Sequence, residues 1–242
     1  MRLSRVFVAT PLETGARVTL AGDAAGHVTR VLRLRPGAPL TLFNGTGGEY
    51  CGTIEAVRAG AVTVTVGAAQ RIERESPLRV TLAQGVSRGE RMDLVVQKAT
   101  ELGVSRIVPV FTARSIVKLD GHQAVRRLEH WRAIAIGACE QSGRNRPPQL
   151  TSPLTLEELL REERAGTRLL LSPAAALRLP QIQRPEGAVL VLIGPEGGLA
   201  EEEQQRALAA GYFGVRIGPR VLRTETAALA ALVLLQREFG DL

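Results

Sequence analysis

Ile193-Gly194-Pro195-Glu196-Gly197-Gly198-Leu199 is the stretch around which this chain of 242 residues is organised. Ahead of it, Ala188 to Ile193 is a continuous apolar run rich in β-branched residues, short enough for a strand buried on both faces of a parallel sheet. Behind it, Glu201, Glu202 and Glu203 precede Leu208, as at a helix start where carboxylates meet the positive end of the dipole. The unit is strand, glycine-rich turn, helix. Glycines admit a ligand close to backbone N–H groups, but phosphate is a poor candidate. No Lys-Ser/Thr pair follows the glycines, the spacing is not G-x-G-x-x-G, and four glutamates would repel an anion. A neutral or cationic ligand fits the turn, and a purely structural turn is the alternative.

The flanking segments repeat the same unit. Leu78 to Gln84 reads as a strand, Ser87-Arg88-Gly89-Glu90 as a capping box, and Met92, Val95, Val96, Ala99 and Leu102 as one helical stripe ending at Gly103. Arg106 to Val110 is the next strand, completing a β-α-β crossover. The outward set Arg91, Gln97, Lys98 and Glu101 is left for chemistry. Gln123 to Ser142 reads as a helix with Val125, Leu128, Trp131, Ala135 and Ala138 inward. Its exit, Glu140 to Pro148, loads arginines and amides onto a loop stiffened by two prolines. Thr155 to Glu163 is a helix, Arg168 to Leu171 and Gly214 to Ile217 are strands, and Thr224 or Glu225 to Phe239 is a helix apolar on several sides. Three loops therefore follow strands: Ser172-Pro173, Gly194 to Gly198, and Gly218 to Arg223. Ligands of open α/β sheets sit outside the carboxyl ends of the strands, so these loops are candidates for the walls of one pocket.

The first 75 or so residues have a different texture. Arg17 to Leu20, Leu40 to Phe43, Tyr50 to Val57 and Ala61 to Val66 read as short strands, with Asn44-Gly45 and Gly47-Gly48 as turns. One helix, Ala24 to Leu34 with Asp23 as its N-cap, lines up His27, Arg30 and Arg33 outside and Val28, Val31 and Leu32 inside. The polar stretch Gln70 to Ser76 before Pro77 marks the boundary. This divides the chain into 1–72, a small β-rich domain, and 73–242, an α/β domain.

The formal charge of +7 and a pI near 10.5 point to a polyanionic partner, nucleic acid first. Apart from Lys98 and Lys118 the basic residues are all arginines, which fork onto phosphates and stack on bases. Aromatics at 3% are too few for a single-strand binder built on stacking platforms. Cys51 and Cys139 form neither a disulfide framework nor a zinc site, which predicts buried free thiols at both positions, a cytoplasmic location and no metal. No apolar run approaches the length of a membrane span.

Four segments together resemble a known family: Gln97-Lys98-Ala99-Thr100-Glu101-Leu102-Gly103, Glu140-Gln141-Ser142-Gly143-Arg144, Ile193-Gly194-Pro195-Glu196-Gly197-Gly198, and Gly218-Pro219-Arg220-Val221-Leu222-Arg223-Thr224-Glu225-Thr226. In order and spacing they are similar to the bacterial ribosomal RNA small-subunit methyltransferase E family over essentially the whole chain. The resemblance implies a SPOUT-type parallel sheet with a C-terminal trefoil knot, preceded by a small PUA-like β-barrel, working as a homodimer. It implies methylation of N3 of a specific uridine in 16S ribosomal RNA, with S-adenosyl-L-methionine as cofactor. The competing readings are an enzyme of the same fold acting on another RNA, such as transfer RNA, and a non-catalytic RNA-binding ribosome-assembly protein. Three intact loops favour catalysis, and the leading β-rich domain with Arg223 to Thr226 favours the ribosomal substrate.

Carried over residue by residue, the resemblance implies a cofactor pocket of Leu171, Ser172, Ile193, Gly194, Pro195, Glu196, Gly197, Gly198, Ile217, Gly218, Leu222, Arg223 and Thr224. N3 of uridine carries a proton, so the reaction calls for a proton acceptor and for donors to the base oxygens. The candidates are Glu101 or Glu196 for the first role, and Arg144 with Gln97 for the second. Arg5, Arg30, Arg33, Arg88, Arg114, Arg144 and Arg146 are the candidate residues for binding RNA phosphates.

Overall fold

A computed structural model describes residues 3–115, 121–162 and 166–242. The chain forms two compact units, Met1–Glu75 together with Cys139–Pro147, and Ser76–Ala138 together with Pro148–Leu242. The division falls at Glu75, and the exit of a long helix belongs to the first unit. The reason lies in polar chemistry that spacing does not reveal. Arg144 pairs with Glu75, Asn145 Nδ2 donates to Ile72 O at 2.7 Å, and Arg74 Nη1 donates to Gly143 O at 3.0 Å.

In the first unit, β1 (Arg5–Phe7), β2 (Arg17–Leu20), β3 (Pro39–Phe43), β4 (Glu49–Arg58) and β5 (Ala61–Gln70) form one sheet in the order β1-β3-β4-β5-β2. β1 runs parallel to β3 and the other pairs are antiparallel. Two register shifts, between Tyr50 and Gly52 and between Ile54 and Ala56, bend β4 as bulges do. Alternate residues such as Val18, Leu20, Leu40, Leu42, Val62 and Val64 point into one core. The basic helix is shorter and looser than its pattern suggests: α1 (Gly22–Gly26) passes into a π-turn, His27–Val31. Asp23 lies in the first turn rather than at the N-cap, which is Ala21. The wider π geometry rotates the residues that follow it, so Val28 is buried while Val31 is 66% exposed.

The second unit is an eight-stranded sheet. Its strands are β6 (Val80–Gly85), β7 (Arg106–Phe111), β8 (Gln149–Leu150), β9 (Leu154–Thr155), β10 (Thr167–Leu171), β11 (Leu177–Arg178), β12 (Val189–Ile193) and β13 (Phe213–Arg216). The order is β11-β13-β10-β12-β6-β7-β8, with β9 also on β7, and among the described residues the pairs are all parallel. The helices are α2 (Arg91–Glu101), α3 (Gly121–Ser142), α4 (Leu156–Glu162), α5 (Glu201–Ala209) and α6 (Thr224–Phe239). Of the helix expected over Thr155 to Glu163, Glu163 lies outside the described residues.

Apolar layers on both faces explain the unbroken hydrophobic run of β12. Val189, Val191 and Ile193 join the core with α2, α3 and α6, and Leu190 and Leu192 join the core with α4 and α5. Full burial of such side chains is worth about 1.5–3 kcal/mol each. In α2 the stripe Met92, Val95, Val96 and Ala99 is buried as its period predicts. The expected capping box is absent: Ser87 Oγ donates to Gly85 O at 3.3 Å, and Glu90 stands at the N-cap without a side-chain bond. Val125, expected inside α3, is 56% exposed.

Candidate active site

β13, β10, β12 and β6 lie side by side and parallel, so their carboxyl ends open in one row. The loops that leave β10, β12 and β13 enclose a cavity of about 250 Å³. Leu171 and Ser172 come from the first loop, Ile193 to Glu196 and Gly198 from the second, and Ile217, Gly218, Leu222 and Thr224 from the third. The three loops marked in the sequence meet.

The glycine turn is shaped by close approach. A Cβ on Gly194 would stand 2.8 Å from both Gly198 C and Leu199 N, so only glycine lets the turn fold onto itself. Gly198 N–H closes it on Pro195 O at 2.8 Å, with Gly198 at φ +67°. From below, Gly85 of β6 lies so close that a Cβ there would overlap Pro195 N. A polar chain fixes the same turn: Gln84 Nε2 donates to Thr224 Oγ1 at 2.8 Å, and Thr224 Oγ1 donates to Gly194 O at 2.7 Å. Gln84 is fully buried, and its Oε1 has no protein partner among the described residues. Its place at the end of an apolar strand conceals this role in the sequence, because the partner lies 140 residues away.

Glu196 lines the cavity but is not built as a base. Its Oε1 accepts Arg88 N–H at 2.9 Å and Arg91 Nη1 at 2.6 Å. Burial pushes its pKa up. The N–H groups of Arg88 and of Glu196 itself, with the Arg91 guanidinium, more than reverse this and hold it below the usual carboxylate value. A carboxylate held in its charged form is a weak proton acceptor. Gly197 and Arg223, two of the expected pocket residues, are not among the walls. Gly197 instead turns its carbonyl to Arg114, whose Nη1 donates at 2.8 Å.

The electrostatics also differ from expectation. The turn itself holds no basic residue, but Arg114, Arg216 and Arg220 line the cavity alongside Glu196. The pocket therefore suits a ligand that carries both an anionic and a cationic end, in an otherwise largely apolar setting. Arg114, expected to bind an RNA phosphate, is part of this wall. Its backbone is anchored next door, where Ala113 N–H donates to Glu203 Oε1 at 2.8 Å, while Glu203 Oε2 accepts Ala200 N–H at 2.8 Å. Glu203 is 3% exposed, and no sequence signal separates it from its two exposed glutamate neighbours.

The other catalytic candidates do not reach the cavity wall. Glu101 accepts from Lys98 Nζ at 2.8 Å, and Gln97 is exposed on the same helix. Arg144 belongs to the first unit, is 4% exposed, and forks onto Glu75. Arg5 is 6% exposed, with Nη1 on Glu49 at 2.5 Å and Nη2 on Asn145 Oδ1 at 2.5 Å. The sequence marks both for RNA phosphates because it shows the charge and not its partner; buried and paired, neither guanidinium faces solvent. Arg30, Arg33 and Arg88 are exposed, and Arg146 is an exposed partner of Glu73 at 2.9 Å.

Two family models match the chain, the RNA methyltransferase domain over residues 74–236 and the RNA methyltransferase PUA domain over residues 20–67. The chain is 31% identical to the ribosomal RNA small subunit methyltransferase E of Buchnera aphidicola, covering 100% of this chain and 98% of that one. It is 31% identical to the protein of the same name from Bacillus subtilis, over 91% and 90%. Among solved structures, a putative methyltransferase from Legionella pneumophila in complex with S-adenosylmethionine superposes with a TM-score of 0.96 at 41% identity, covering 100% of both chains. A ribosomal RNA small subunit methyltransferase E from Neisseria gonorrhoeae, bound to S-adenosyl methionine, gives 0.92 at 38% identity over 99% of both.

Proposed function

This chain belongs to the ribosomal RNA small subunit methyltransferase E family, and from that premise we propose that it methylates N3 of a uridine in the 16S RNA of the small ribosomal subunit. S-adenosylmethionine is its methyl donor. The observation that carries the reading is the meeting of three strand-end loops in one cavity with a mixed-charge wall. The donor matches that wall, having a carboxylate for an arginine and cationic groups that glycine carbonyls and Glu196 tolerate. When bound, it supplies a methyl group made electrophilic by a sulfonium.

The chain's own contribution is placement. Leu171, Ile217 and Leu222 give the cavity an apolar surface, and Gly194 admits the ligand to the backbone. Thr224 holds the Gly194 carbonyl, and Arg91 with Arg88 N–H keeps Glu196 charged at the rim. Arg30, Arg33, Arg88 and Arg146, all exposed, bind phosphates and so position the RNA. The first unit acts as the RNA-binding domain and the second as the catalytic domain, in a cytoplasmic homodimer with the knotted chain path that the resemblance implies. No helix among the described residues is long and apolar enough to cross a membrane.

The test is to incubate the protein with labelled S-adenosylmethionine and small subunits from cells lacking the activity, then identify the product by nucleoside mass spectrometry. The expected product is N3-methyluridine in 16S RNA. A label on ribose, on another base, or on transfer RNA alone overturns the assignment.

A further inference from the structure

Methyl transfer requires the acceptor nitrogen to approach the methyl carbon to about 3–3.5 Å, so the acceptor pocket must open onto the donor cavity. A second cavity of about 520 Å³ adjoins the first, and Arg114, Leu170, Ser172, Leu199 and Gln204 line both. We propose that it receives the target nucleotide as a single flipped-out pyrimidine base, with Arg114 as donor to the base oxygens and Glu201 as proton acceptor. The proposal rests on the methyltransferase reading above.

The walls match a base taken out of its stack. Leu170, Leu199, Leu208 and Ala175 offer aliphatic surface to its faces, as pockets for flipped bases require, and polar groups at one edge read its Watson–Crick side. N3 lies on that side between two carbonyl oxygens. Deprotonating it spreads negative charge onto both oxygens, which calls for a fixed cation, and the proton needs a carboxylate with room to take it. Arg114 is the fixed cation, tied through Gly197 O and through the Ala113–Glu203 hydrogen bond. Glu201 lines the second cavity from the first turn of α5. Unlike Glu101 and Glu196, it has no side-chain partner among the described residues. In the reaction the N3–H bond breaks and its proton passes to Glu201. The N3 electron pair forms the new bond to the methyl carbon, and the pair of the broken carbon–sulfur bond stays on sulfur, giving a neutral thioether.

The pocket can be filled without touching the donor cavity. A Cβ on Gly214 would sit 3.6 Å from Ala175 Cβ and Leu208 Cδ2, an ordinary packing distance, so Gly214→Leu extends into the cavity. The expected result is S-adenosylmethionine affinity within about twofold of wild type by calorimetry, with kcat/KM for RNA methylation lowered at least about 100-fold, the low end for losing a correctly placed acceptor. Glu201→Gln should keep cofactor and RNA affinity and lose about 100-fold or more in kcat. Should Gly214→Leu not fold, Ala175→Leu fills the same space from the opposite wall. Normal methylation by a folded, filled variant overturns the acceptor pocket. Loss of cofactor affinity in that variant also overturns it, by assigning the space to the donor. A wild-type protein that binds no S-adenosylmethionine would instead refute the methyltransferase reading beneath it.

Discussion

Gly194 and Gly197 stand three residues apart in one turn and answer to different constraints. A methyl group at Gly194 meets backbone at 2.8 Å, whereas one at Gly197 stands 3.2 Å from Arg114 Cβ, a tight contact relieved by a shift of a few tenths of an ångström. Gly194→Ala should therefore abolish S-adenosylmethionine binding, while Gly197→Ala should weaken it less than about tenfold, roughly 1.4 kcal/mol; titration calorimetry on the two variants checks this. Glu196 is the second residue whose sequence reading changes. Its carboxylate is already charged well below neutrality, so Glu196→Gln should lower cofactor affinity through loss of the Arg91 pair and leave the pH–rate profile in place. A shifted alkaline or acid limb in single-turnover methylation would restore it as the base. Sequence exposed the glycines because glycine spacing is itself the signal. It concealed Gln84 and Glu203, whose roles exist only once Thr224 and Ala113 are brought beside them.

Among the elements, α6 is held at both ends by a buried amide, to β6 at its start and to Ser76 and the C-cap of α2 near its end. At its start Gln84 reaches Thr224; near its end Gln236 Oε1 accepts Ser76 Oγ at 2.6 Å, and Gln236 Nε2 donates to Leu102 O at 3.1 Å. Both glutamines are 0% exposed, and a buried group stripped of its partner costs about 1–3 kcal/mol. Thr224→Val and Gln236→Leu should each destabilise the protein by about that amount in urea unfolding. Only Thr224→Val should also impair cofactor binding, because it alone frees the Gly194 carbonyl. The long elements were legible because burial on one or two faces imposes a period. The two-residue strands β8, β9 and β11 were not, since pairs of residues have no period, and neither was the π-turn after α1, whose register departs from the helical template.

For the whole molecule, two populations of arginine differ in role. Buried Arg5 and Arg144 organise the first unit, and exposed Arg30, Arg33, Arg88 and Arg146 are the ones proposed to bind RNA. Binding to the small-subunit RNA should weaken steeply with salt, and reversal of Arg30 and Arg33 to glutamate should flatten the log–log slope by about 0.7–0.9 for each phosphate that is no longer neutralised; filter binding over a salt series measures it. Acid acts on the other population. Burial pushes the Glu49 pKa up, but hydrogen bonds from Arg5 and Arg74 outweigh it and hold the carboxyl below its ordinary value. The unfolded chain therefore binds that proton more readily. Stability from Glu49 is present above the ordinary carboxylate range and is lost as pH falls through the lowered value. Glu49→Gln should remove this acid-sensitive slope and cost about 3–5 kcal/mol at neutral pH by leaving Arg5 buried without its anion. Glu140 has the opposite sign: burial raises its pKa against Phe7 N–H, His27 and Arg5, so its contribution falls as pH rises.

The first unit closes on residues Cys139–Pro147, well beyond its own last strand. On the ribosome, Arg5 and Glu75 emerge long before Asn145 and Arg144. At about 5–20 residues per second, the nascent first unit waits on the order of several seconds for the segment that completes it. The whole of the second unit's first crossover, β6 to β7, is made in that interval, so the two units finish folding in an interleaved order. A polypeptide ending at Glu75 should accordingly unfold at lower denaturant than the same residues within the whole chain, and adding a Cys139–Pro147 peptide should recover part of the difference.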